Sequence, residues 1–117
     1  MYITAIVLSV LLAALFAVAG TPKVLAAKTS VEQATHLGYS TSAYRAIGGL
    51  ELLAVIGLLI GLFFWPLGVA AAVGLALMMI GAAISHIRVG DGPQAYAPGI
   101  IIALLAIATV VVRALAA

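Results

Sequence analysis

The sequence predicts an all-α fold, an integral membrane bundle of four transmembrane helices with a short interfacial helix in the first loop. Three observations predict it. Of the 117 residues, 67% are hydrophobic and only 7% are charged, against about a quarter charged in ordinary soluble domains. The mean hydropathy is +1.38. Apolar stretches close to the ~20 residues that cross a bilayer fill most of the chain. Residues 1–117 therefore read as a single membrane domain with little left for a soluble one.

The first span is Tyr2 to Gly20, "YITAIVLSVLLAALFAVAG". Its end, "AVAG", resembles a signal-peptide cleavage site, but the positive n-region of a secretory signal is missing, so the stretch reads as a retained span. A polar segment follows, "TPKVLAAKTSVEQATHLGYSTSA". Within it, "VLAAKTSVEQATHLG" carries helix formers and ends at Gly38, a C-cap residue. Its apolar residues can rest on the bilayer while Lys28 and Glu32, spaced as a surface pair, stay wet. His36 reads as a solvated loop residue. The second span is Tyr44 to Phe64 and the third Pro66 to Ile87. The minimal join at Trp65-Pro66 makes them an antiparallel hairpin. Turn residues in "RVGDGPQA" lead to the fourth span, Tyr96 to Leu115, with Pro98 expected in its first turn, where proline is tolerated.

Several function classes are excluded. There are no cysteines, hence no disulfide, thiol chemistry or cysteine metal site. Two histidines alone do not make a metal site, and none is expected. A formal charge of +2 without a basic cluster gives no nucleic-acid surface. No nucleophile with its base and no phosphate loop is visible, so the chain does not read as an enzyme on its own.

Lysine and arginine placement sets an expected orientation. The first and third loops and the adjoining span end carry Lys23, Lys28, Arg45 and Arg88, while the opposite face has only Arg113. The positive-inside rule then puts both loops in the cytoplasm and both termini outside. Helix association in lipid relies on small residues. Gly48, Gly49, Gly57, Gly61, Gly74 and Gly81, with Ala13 and Ala17, are the expected helix-packing positions. They pack the bundle internally or present a face to another membrane protein or a second copy.

Glu51 interrupts the second span, "RAIGGLELLAVIGLLIG". It lies roughly 10 Å from the Tyr44 end at 1.5 Å per residue. An ionisable residue at a helix centre costs on the order of 2.5–3.5 kcal/mol, and somewhat less at this depth. The cost falls if Glu51 is paired or faces a wet cavity. The antiparallel hairpin brings Ser85 and His86 to the same end, and Lys23, Arg45, Arg88 and Asp91 gather there too. Nearly every ionisable residue is confined to one face of the membrane. The Gly48-Gly49 pair removes side chains beside Glu51, leaving room for a helix, a water or a ligand head group. Two readings stay open: a polar network holding the helices in register through Ser85, His86, Lys23 or Arg88, or a polar pocket for a ligand or proton.

These residues resemble the DoxX-like family of small four-helix membrane proteins. The resemblance is carried by "AGTPKV" (Ala19–Val24), "HLGYS" (His36–Ser40), "RAIGGLELLAVIGLLIG" (Arg45–Gly61) and "SHIRVGD" (Ser85–Asp91), in that order. It implies recurring polar positions at Lys23, Arg45, Glu51, His86 and Asp91, an association with membrane redox complexes, and residence in a bacterial plasma (inner) membrane. Lacking cysteine and any haem or flavin motif, the chain has no redox chemistry of its own. Any such role needs a bound quinone or a partner protein. The leading expectation is an accessory subunit or assembly factor of a membrane complex. The alternative is a binder of a quinone or lipid-like ligand, its head at Glu51 and His86. A small proton-coupled transporter ranks third.

Overall fold

The computed structural model describes residues 2–116. Five helices follow one another: α1 (Tyr2–Val24), α2 (Lys28–Leu37), α3 (Thr41–Ile60), α4 (Trp65–Arg88) and α5 (Pro93–Leu115). No strand occurs among the described residues. Helices α1, α3, α4 and α5 are long and apolar enough to cross a membrane, and α2 is the short helix expected in the first loop. In lipid no water satisfies backbone N–H and C=O groups, so spans must close their hydrogen bonds internally.

The helix ends show where hydropathy and hydrogen bonding part company. Helix α1 does not stop at Gly20 but continues through Pro22 and Lys23 to Val24. Leu25 N–H and Ala27 N–H close the end on the carbonyls of Thr21 and Pro22. Helix α2 ends as the sequence suggests, at Gly38 with φ 85°. There Gly38 N–H reaches Thr35 O and Tyr39 N–H reaches Ala34 O, a left-handed C-terminal cap. Ser40 opens α3, its hydroxyl accepting from Ala43 N–H at 3.1 Å. Helix α5 begins three residues before the expected Tyr96. Pro93 takes the first-turn position and Pro98 sits inside the helix instead.

The four spans form a ring in which α1 packs on α3 and α5, and α4 packs on α3 and α5. The core between them holds Leu12, Phe16, Leu58, Ala72, Leu75 and Ala106. Outward faces carry exposed Val18, Leu53, Leu77 and Ile101, as a lipid-facing surface requires. Close approach rests on particular glycines. A Cβ at Gly48 would lie 2.5 Å from Lys23 Cβ and 2.9 Å from Gly20 O, so α1 and α3 meet backbone to backbone. A Cβ at Gly61 would collide with the Gly68 backbone, and one at Gly57 would sit 3.1 Å from Ala71 Cβ. Gly49, Gly74 and Gly81 differ: a Cβ there meets nothing within 4 Å. None of the three makes a close helix contact, Gly81 lining an open cavity instead, and Gly20 and Gly68 take up the close contacts.

This contrast sets a test. Gly61→Val forces α3 and α4 apart and is expected to cost about 1–3 kcal/mol, the range of overpacking. Gly74→Ala meets open space and is expected to be neutral or to stabilise by up to about 1 kcal/mol through helix propensity. Reversible unfolding in mixed micelles distinguishes the two.

Candidate functional site

The site begins with the α1–α3 contact. Because Gly20 and Gly48 have no side chains, the last turn of α1 lies against α3 one turn from Glu51. The extension of α1 past Pro22 places Lys23 there. Lys23 Nζ donates to Glu51 Oε1 at 2.5 Å. The Glu51 side chain is 0% exposed and that of Lys23 is 15% exposed. The ammonium also lies 5.3 Å from the Tyr44 ring centroid, within cation–π range. Tyr39 stands beside Tyr44, ring centroids 6.0 Å apart.

Glu51 Oε2 is different. It is buried and has no hydrogen-bond partner. Leaving such an atom unpaired costs about 1–3 kcal/mol, more for a charged group. Glu51 forms part of the wall of a cavity of about 610 Å³ that all five helices line. That volume is in the range of small-molecule sites. The polar wall comprises Lys23, Gln33, Tyr39, Tyr44, Glu51, Ser85 and His86, and the apolar wall Val18, Ile47, Met78, Met79, Pro98 and Ile102.

A second polar group closes the aqueous end. Gly90, at φ 81°, turns the chain after α4, and Asp91 folds back so that its N–H reaches His86 O. The Asp91 carboxylate then takes His86 Nδ1 at 2.6 Å. It also takes His36 Nε2 at 2.8 and 3.0 Å. The hydrogen bond from His86, then that from His36, holds its carboxyl below the usual carboxylate range. Beside them Ser85 Oγ donates to Gly81 O at 2.8 Å and lies 2.6 Å from the Tyr39 hydroxyl. One carboxylate and one hydroxyl thus tie α2 and its following turn to the end of α4.

The structure therefore brings Lys23, Glu51, Ser85 and His86 to one cavity, and of the four expected partners of Glu51 it selects Lys23. Glu51 holds Lys23, and His86 holds Asp91. Arg45 is exposed, and its Nε donates to Val24 O at 2.9 Å, capping α1. Arg88 is exposed at the end of α4, outside the cavity. His36 is not simply solvated. Half-exposed, it is one of the two imidazoles on Asp91. Tyr39 and Gln33 join the site without a signal in the sequence, because α2, expected to rest its apolar residues on the bilayer, lines the cavity instead. Arg113 is buried at the opposite end, its Nε donating to Gly61 O at 3.1 Å and closing the α3–α4 turn. Among the described residues no group of three or more ligating side chains is placed to hold a metal ion.

The profile of the DoxX-like family matches residues 7–109, most of the chain, and the chain belongs to that family. No curated protein and no solved structure matches it. Family and helices together make it a small integral membrane protein.

Two outcomes follow from the site. Lys23→Met leaves Glu51 buried without its partner and is expected to cost about 3–5 kcal/mol of stability, the range for breaking a buried pair. Unfolding in mixed micelles reads it. Asp91 contributes stability above the ordinary carboxylate range, and this is lost as pH falls through its lowered folded value. Native protein is therefore expected to lose stability on acidification more steeply than Asp91→Asn, a difference that unfolding curves at stepped acidic pH measure.

Proposed function

We propose that this DoxX-like membrane protein binds a lipid-like small molecule, a quinone or quinol among the candidates, in the cavity beside Glu51. One observation carries the reading: Glu51, a residue lining a cavity large enough for a ligand, keeps one buried carboxylate oxygen without a partner. Buried side-chain oxygens are for the most part hydrogen-bonded, and one left unpaired beside a cavity is explained by a ligand or water. The ligand's apolar part would lie on Met78, Met79 and Ile102, its head near Lys23, Glu51 and Tyr44. Methionine suits such a wall because its unbranched chain adapts to irregular shapes. The role is binding rather than turnover, since the chain carries no redox group of its own.

A second reading has its own observation. Gly49 and Gly74 present small-residue positions with open space beside them. Such positions support close approach by a helix of another membrane protein, as an accessory subunit or assembly factor of a redox complex would use. In either reading the cavity end carries Lys23, Lys28, Arg45 and Arg88. It faces the cytoplasm of a bacterial plasma membrane if the positive-inside rule holds.

Gentle extraction from native membranes, followed by mass spectrometry of what co-purifies, separates the readings. The expected result is a quinone or other isoprenoid at near one per chain, lost in Glu51→Ala protein that still folds. A stoichiometric membrane protein with no small molecule would instead favour the accessory-subunit reading.

A further inference from the structure

The cavity has two boundaries, and they differ. Its aqueous end is covered by α2, whose Thr29, Ser30, Gln33 and Leu37 form part of the wall. That cover is fastened by the His36–Asp91 contact and by the Tyr39–Ser85 hydrogen bond. The side between α1 and α5 is not fastened in this way. The core joins these two helices through Leu12 and Phe16 on one and Ala106 on the other, deeper in the bundle. Nearer the polar end Val18 on α1 and Pro98 on α5 both line the cavity. Both are exposed, Val18 at 76%, on the lateral surface where lipid lies.

The polar wall limits what can be held. Lys23 Nζ occupies Glu51 Oε1, and Oε2 is left without a hydrogen-bond partner. The ammonium has further N–H groups to give. The pair is neutral as a unit, and a charged head would be buried there without a counter-ion at high cost. A hydroxyl answers both needs, donating to Oε2 and accepting from Lys23. We infer that the site takes a neutral, hydroxyl-headed amphiphile directly from the lipid phase, through the gap between α1 and α5, its tail remaining in the bilayer. This inference rests on the ligand-binding reading above and adds to it the chemistry of the head and the route of access.

The test uses the full chain in phosphatidylcholine nanodiscs and three probes that each carry a diazirine: a 4-dodecylphenol, its methyl ether, and a short water-soluble phenol. The dodecylphenol is expected to label the α4 segment around Met78 and Met79. The ether is expected to bind about tenfold more weakly, the loss of one hydrogen bond to a charged group. The short phenol added from water is expected to label little. Val18→Trp, a change on an exposed face, is expected to slow dodecylphenol labelling severalfold. Glu51→Gln is expected to erase the difference between phenol and ether. Equal labelling by phenol and ether overturns the hydroxyl head. Strong labelling from water, unchanged by Val18→Trp, overturns the lateral route. In both cases ligand binding itself survives. Failure of both long probes to bind overturns the ligand-binding reading and the inference with it. If Glu51→Gln protein does not fold, the phenol-to-ether ratio on native protein and the Val18→Trp rate still decide.

Discussion

The ion pair between Lys23 and Glu51 is the constraint on which the polar end of this bundle depends. A glutamate in a transmembrane helix must find a partner or pay several kcal/mol. Here the partner comes from another helix, and its position dictates much else. Helix α1 must run past Pro22 to bring Lys23 round. Gly20 and Gly48 must be bare for the two backbones to approach. Arg45 then closes the α1 end by donating to Val24 O. Each feature looks minor alone, yet together they bring one ammonium to one carboxylate oxygen. The other oxygen is left over, and the cavity lies beside it.

The two ends of the molecule use charge in opposite ways. At the cavity end, charges gather in linked groups, Lys23 with Glu51 and Asp91 between two histidines, and the second group ties α2 to α4. At the other end a single buried guanidinium, Arg113, closes the α3–α4 turn through Gly61 O and lies 5.8 Å from the Tyr2 ring centroid. The first arrangement encloses a space, and the second seals a turn. At the second end Gly61 and Gly68 bring the α3 and α4 backbones into direct contact.

Most of the architecture was legible in the sequence, since hydropathy marks lipid contact and the bilayer leaves helices as the way for such spans to satisfy their backbone. The four spans, the tight α3–α4 hairpin and the amphipathic α2 with its Gly38 cap all follow from local pattern. The pairing at the polar end did not. Thr21-Pro22 reads as a break, yet hydropathy shows where lipid contact ends and not where backbone hydrogen bonding ends, so the helical position of Lys23 was hidden. Asp91 was seen as a loop residue. Its capture of both histidines depends on the positive φ of Gly90, which returns the chain beside His86. Gly49, Gly74 and Gly81 looked like packing residues because composition cannot say which way a helix face points.

Whether the Lys23–Glu51 pair serves the proposed ligand rather than stability is open to measurement. A double-mutant cycle over Lys23→Met and Glu51→Leu, reading both unfolding and retained small molecule, tests it most directly. Replacing both members removes the buried charges together, and buried pairs so replaced are often neutral or stabilising. The double variant is expected to be at least as stable as either single variant, close to native, and empty of ligand. A double variant whose losses simply add, or one that keeps its ligand, would contradict that expectation.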